Sequence, residues 1–327
     1  MIRRREIIIA LGMLATPIAA LAQSSGRIPT IGVLWHAGSA EEEGPYFKAL
    51  IEGFKELGYV DGRNIVLEHR FPNEIPERFK SMAAHLVSLK VDVLVGVGAL
   101  TSTVVKNATT TVPVVFVFAP DPVGAKLVDS LARPGANVTG LTTLSVGLIG
   151  KRLQYLKETI PKLSRVAFLL NPDAFNARQV TDEAQTSAAK IGLNVQMFPI
   201  RTLEDLKPAF DAMTKARIQA VTATSGGVFY QGRAEISDLA LSHRLPTCFH
   251  SEEFVEVGSL MSYGPDQKAM VRRATAYVDK IIKGAKPSDL PVEQPTLFDL
   301  AVNKKTAKTL GIKFPNSILV QATKVIE

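Results

Sequence analysis

Cysteine is almost absent: Cys248 is the single one in 327 residues. That excludes an internal disulfide framework and any thiolate zinc cluster. Aromatic residues make up only 7%, and tryptophan occurs once, as Trp35. The 23 glycines and 19 prolines are dispersed, so collagen-like and low-complexity architectures fail. After residue 22 no apolar run reaches the ~20 residues that a bilayer-spanning helix needs. Lys/Arg blocks with interleaved aromatics are missing, which argues against a nucleic-acid partner. The five histidines, His36, His69, His85, His243 and His250, show no H-E-x-x-H or comparable spacing, and no G-x-S-x-G elbow occurs. No metal, no cofactor and no catalytic residue is expected. What is present is 46% apolar and 21% charged residues, the balance of a packed globular chain.

The first 22 residues have the three-part grammar of a secretory signal peptide. Arg3, Arg4 and Arg5 precede an apolar stretch from Ile7 to Ala20, and Ala20-Leu21-Ala22 supplies an A-x-A cleavage site. Cleavage after Ala22 and residence in the periplasm are expected, by a Sec or a twin-arginine route. No cysteine follows the apolar stretch, so no lipid attachment site is present there. Removal of this segment takes the charge from +7 to +5, with 35 basic against 30 acidic residues remaining.

From Thr30 onward short apolar strands alternate with amphipathic helices. Strands are expected at Thr30–Leu34, Ile65–His69, Val91–Val97 and Val112–Phe118. Helices are expected at Pro45–Leu57, Glu77–Leu89 and Thr101–Ala108. The rhythm restarts with a helix at Val146–Thr159, strands at Arg165–Leu170, Val195–Phe198 and Ala220–Thr224, and helices at Arg178–Ile191, Leu203–Ala216 and Tyr230–His243. Strands near Thr247–Phe249 and Leu260–Ser262 follow, then a helix over Gln267–Ile282, an extended segment over Pro287–Pro295 and a strand over Phe298–Val302. This order implies an α/β chain of two doubly wound parallel-sheet lobes.

In such sheets ligands bind beyond the carboxyl ends of the strands, where helix N-termini present free amides. The loops at those positions nominate Trp35, His36, Ser39, Gly98, Thr101, Ser102 and Asp121 in the first unit. In the second unit they nominate Asp173, Phe175, Ser225, Phe229, Glu252 and, further on, Tyr263. The helix near Thr101 suits a carboxylate. Glu252, Glu253, Asp121 or Asp173 suits an ammonium group, and Trp35, Phe175, Phe229 and Tyr263 would wall the apolar part. Each has a plainer role open to it: Thr101 and Ser102 as helix caps, Asp121 and Asp173 as turn residues beside proline, Trp35 and Phe229 as core. Cys248 lies in an expected strand, where a buried inert thiol is the ordinary outcome.

Several longer stretches carry a family resemblance. They are Gly53-Phe54-Lys55-Glu56-Leu57-Gly58-Tyr59-Val60-Asp61-Gly62-Arg63-Asn64-Ile65, Arg133-Pro134-Gly135-Ala136-Asn137-Val138-Thr139-Gly140, Ser262-Tyr263-Gly264-Pro265-Asp266, and Leu290-Pro291-Val292-Glu293-Gln294-Pro295-Thr296. With them the mature chain resembles the periplasmic substrate-binding proteins of ABC transporters, of the tryptophan or aromatic-amino-acid type. The resemblance implies a type I periplasmic-binding fold with a three-strand hinge crossing near Thr142–Thr143, Tyr263–Gly264 and Pro291–Pro295. The lobes would then be 27–142 plus 264–291 and 143–263 plus 292–327. It implies a ligand clamped between the lobes and delivered to a permease and its ATPase. The loop residues above favour a small amino acid or aromatic acid as that ligand, and a monomer is expected. A sensory protein reporting ligand to a receptor, or an exported α/β enzyme, remains an alternative.

Overall fold

In the computed structural model, which describes residues 27–327, the alternating pattern becomes two α/β lobes side by side. The expected signal segment, 1–22, lies outside the described residues. Strands β1 (Thr30–Leu34), β2 (Val66–Arg70), β3 (Val93–Val97), β4 (Val114–Ala119) and β5 (Val138–Thr142) form one parallel sheet in the order β2-β1-β3-β4-β5. Helices α1 (Ala40–Glu43), α2 (Pro45–Glu56), α3 (Pro76–Ser88) and α4 (Ala99–Ala108) connect them. Strand β3 is buried along its whole length, as a central parallel strand covered on both faces must be. Strand β5 was not expected from its sequence. It is short, contains Gly140 and is held in place by complete burial at the sheet edge.

The second lobe begins with α5 (Ile149–Thr159), β6 (Arg165–Leu170), α6 (Ala177–Lys190), β7 (Asn194–Pro199), α7 (Leu206–Lys215) and β8 (Ala220–Ala223). It continues with α8 (Gly227–Gln231), α9 (Arg233–Ser242), β9 (Cys248–Phe249), α10 (Glu252–Glu256) and β10 (Met261–Pro265). The helix expected over Tyr230–His243 is thus two helices, broken at Gly232. A Cβ there would stand 2.6 Å from Leu203 Cδ2, so the bend packs against the start of the α7 region. Three strands pair as β7-β6-β8, and a single bridge, Val221 to Thr247, joins them to β9-β10.

After β10 the chain leaves this lobe. Helix α11 (Gln267–Ile282) packs on α2 and β4 of the first lobe, where Val271, Ala274 and Val278 enter the same core as Ile31 and Val95. Gly53 permits the close approach: a Cβ on it would lie 2.7 Å from Thr275 Oγ1. The chain then returns as β11 (Phe298–Asn303), α12 (Lys304–Leu310), α13 (Asn316–Gln321) and β12 (Lys324–Ile326). Strand β11 runs antiparallel to β10, so the second sheet is mixed rather than wholly parallel. A strand that arrives from the other lobe through a long connection has no crossover helix to set its direction.

The chain therefore crosses between lobes three times, at 143–148, 265–267 and 294–297. Close to the last crossing, Val292 N–H bonds Leu131 O and Glu293 pairs with β5 through Gly140 and Thr142. Two core clusters flank each sheet.

Candidate functional site

The loops after β1, β3 and β4 face those after β8 and β9, and a cavity lies between them. His36, Tyr46, Gly98, Ala99 and Phe118 line it from the first lobe. Ser225, Gly226, Gly227, Tyr230 and His250 line it from the second, and Thr143 and Gln267 come from the crossings. About 60 Å³ of free space lies between the lobes. Tyr230 is the centre of the aromatic wall. Its ring sits 5.1 Å from Tyr46 and 5.6 Å edge-on from His36, with the Arg233 guanidinium 4.2 Å from the ring centre. Phe118 meets Tyr46 at 5.4 Å. It reaches the cavity because β4 bulges there, with Phe118 at φ 67°, a strained value for a bulky residue that tends to occur at functional positions.

The polar groups are unevenly satisfied. At the start of α4 the Thr101 and Ser102 hydroxyls turn back onto Gly98 O. No side chain caps the N-terminus of α4, whose first residues, Gly98 and Ala99, line the cavity. Thr143 Oγ1, 2% exposed as a residue, has no hydrogen-bond partner. His36 stands between two carboxylates, with Nε2 3.4 Å from Glu43 and Nδ1 3.3 Å from Glu74. Burial lowers its pKa, but Glu43 and Glu74 together outweigh burial and raise it. Glu43 is itself raised, by burial. His250 is driven down to about 3 by burial and by Arg152.

Arg152 is buried, with no carboxylate partner among the described residues. Its guanidinium donates to Ser145 O at 3.2 Å and Tyr263 O at 3.4 Å, holding the first two crossings to α5.

Of the residues nominated by sequence, His36, Gly98 and Ser225 line the cavity. The others do not. Trp35 is fully buried behind β1, donating to His69 Nδ1 at 3.0 Å and stacked on Phe71. Phe229 is core of the second lobe. Ser39 caps α1, and the Thr101 and Ser102 side chains lie under the loop. Asp121 accepts from Gly124 N–H in a turn. Asp173 pairs with Arg201 on the surface and Phe175 is 51% exposed. Glu252 is bound by Lys268 and Lys324. Tyr263 packs on Tyr155 and Phe298 inside the second lobe.

Tyr46, Phe118, Thr143, Tyr230, His250 and Gln267 were missed. Tyr46 and Gln267 begin helices, and Gly226-Gly227 before Tyr230 was a signal of close backbone approach that reads equally as a turn. Cys248 is buried, with its thiol pushed up to about 12 by burial.

Comparison with known proteins decides the family. Residues 43–326 match the model for ABC transporter substrate binding proteins. The chain belongs to that family. Its relatives include a tyrosine-binding protein of Clostridioides difficile, 26% identical over 267 residues, covering 81% of this chain and 76% of the relative. Among solved structures, a conserved domain protein from Vibrio cholerae superposes with TM-score 0.85 and 28% identity, over 91% of this chain and all of that one. An ABC domain from Streptococcus pneumoniae in complex with L-Trp gives TM-score 0.85 and 27% identity, over 92% and 100%. This binding protein thus has the type I periplasmic-binding fold, and its family is one of solute binders rather than enzymes. Such proteins typically work outside the cytoplasm.

Proposed function

We propose that this binding protein clamps a small amino acid or aromatic carboxylate between its lobes and hands it to a membrane permease driven by an ATPase. The observation that carries the reading is the composition of the interlobe cavity. Three aromatic rings, Tyr46, Phe118 and Tyr230, form an apolar wall, and the α4 N-terminus with the unpartnered Thr143 hydroxyl forms a polar end. Free first-turn amides and an unused hydroxyl favour a carboxylate. The rings favour a flat apolar side chain. Relatives that bind tyrosine and L-Trp support the same class. Export with cleavage after Ala22, a periplasmic location and a monomeric state complete the proposal.

Calorimetry of the mature protein tests it. L-tryptophan, L-tyrosine, aromatic acids and simple sugars are titrated in turn. A micromolar dissociation constant for an amino acid or aromatic acid, about −8 kcal/mol, is expected. Binding confined to sugars would overturn it. Recovery of the ligand chemically unchanged separates binding from turnover.

A further inference from the structure

Beside the main cavity lies a smaller recess that shares His250 and Gln267 with it. It is lined further by Ser251, Glu253, Lys268 and Asp299. Three of its polar atoms, His250 Nδ1, Ser251 Oγ and Glu253 Oε2, have no hydrogen-bond partner at bonding distance among the described residues. Their residues are only 4%, 5% and 4% exposed. Orphaned buried groups of this kind are costly, and an unpaired buried carboxylate most of all. Lys268 does not relieve Glu253, because its ammonium is bound to Glu252. Tyr46 of the other lobe faces the same carboxyl, and its hydroxyl donates to Gln267 Oε1. The recess has about 10 Å³ of free space, enough for one small polar group.

We propose that the recess of His250, Ser251 and Glu253 seats the primary ammonium group of the ligand, and that Glu253 makes the protein prefer amines to their des-amino analogues. This rests on the amino-acid reading above. An ammonium has three N–H donors, and His250 Nδ1, Ser251 Oγ and Glu253 Oε2 can each accept one. The groups facing the Glu253 carboxyl among the described residues are the neutral Ser251 and Tyr46 hydroxyls, not a cation. His250 is a neutral imidazole, pushed down to about 3 by burial. With its proton on Nε2, its Nδ1 is an acceptor. Burial raises the Glu253 carboxyl, and an arriving cation restores its ionised form. The flanking Asp299 and Asp266 add negative potential, and the shared His250 and Gln267 connect the recess to the aromatic wall.

The test is a set of dissociation constants by calorimetry for L-tryptophan, indole-3-propionate, L-tyrosine and 3-(4-hydroxyphenyl)propionate. In the wild type each amino acid should bind about 100-fold tighter than its des-amino partner, since a site built to bond a polar group rejects the analogue lacking it. Glu253→Gln should collapse that ratio to within a few-fold while leaving the des-amino affinities unchanged. Ser251→Ala should lower it about 5-fold. Should Glu253→Gln not fold, the wild-type ratio and Ser251→Ala decide. Equal wild-type affinities for amine and des-amino forms overturn the ammonium seat and leave the carboxylate clamp standing, the recess then holding water alone. A ratio kept in Glu253→Gln overturns the role of Glu253. If none of the four probes binds, the amino-acid reading falls and this assignment falls with it.

Discussion

Glu74 and Gly227 meet across the seam between the lobes, so closely that a Cβ on Gly227 would lie 2.6 Å from Glu74 Cδ. Glu74 also stands 3.3 Å from His36, a residue of the cavity wall. Glycine at 227 is therefore part of the seam geometry, not merely a turn residue. Gly227→Ala forces the carboxylate away from His36 or holds the lobes apart. Ligand affinity should fall about 10-fold, roughly 1.4 kcal/mol, with little change in thermal stability. Glu74→Ala should restore most of the loss in the double variant, which a double-mutant cycle on dissociation constants measures. Additive losses would show that the two residues do not collide.

Closure itself is testable. Three polar contacts cross the seam among those described: Gln231 Nε2 donates to Asn73 Oδ1 at 3.2 Å, the Tyr230 hydroxyl reaches Glu43 O at 3.5 Å, and Lys268 of α11 pairs with Glu252 of α10. Neutral hydrogen bonds and a partly exposed ion pair of this sort contribute about 1 kcal/mol each, too little to hold two lobes shut alone. A bound ligand must supply the remaining bias. Small-angle scattering should give a smaller radius of gyration with saturating ligand than without. An identical profile would show a rigid cleft.

Much of the fold was legible in the sequence, because strand and helix periodicity and the apolar runs of β3, β4 and β6 state which faces are covered. Thr30–Leu34, Arg165–Leu170 and Gln267–Ile282 fall where the pattern puts them. The site was less legible, for a physical reason. Strand ends identify the loops, but not which way each side chain turns. Trp35 and His36 are neighbours, and alternation sends one into the core and the other into the cavity. Phe118 faces the cavity only through a bulge, and Tyr230 only because Gly232 breaks the helix. Glu252 and Glu253 were indistinguishable by type. Their difference lies in Lys268 and Lys324, which bind the first and leave the second alone.

The histidines predict how stability follows pH. His69 and His250 are lowered, to about 4 and about 3, both chiefly by burial. For them the unfolded chain binds protons first as pH falls below the ordinary 6.5. Their contribution is fully present above that pH and is lost as pH falls toward 4 and then 3. His36 is raised, so its contribution is present below 6.5 and is lost as pH climbs through its folded value. The melting temperature should therefore peak near neutrality. The acid side should lose on the order of 2–4 kcal/mol per lowered histidine. His36→Gln should flatten the alkaline side only, as melting curves from pH 4 to 9 would reveal. An alkaline limb unchanged in that variant would remove His36 from the account.

Trp35, the single tryptophan, reports on something other than the ligand. Its ring is fully buried among Phe47, His69 and Phe71 in the first lobe, and Nε1–H donates to His69 Nδ1 at 3.0 Å. These ring partners, Phe47, His69 and Phe71, do not line the cavity, so titration with L-tyrosine should leave its emission nearly constant while calorimetry detects binding. Acid should act differently. Protonation of His69 turns Nδ1 from acceptor to donor and breaks the bond, so Trp35 emission should change with a midpoint near pH 4, the value to which burial lowers His69. His69→Gln should abolish that transition at the cost of about 1 kcal/mol in stability. Placing the reporter at the aromatic wall, by Tyr230→Trp in a Trp35→Phe background, should make emission respond to ligand. A Trp35 signal that saturates with ligand in the wild type would instead mean that closure reaches through β1 into the core of the first lobe.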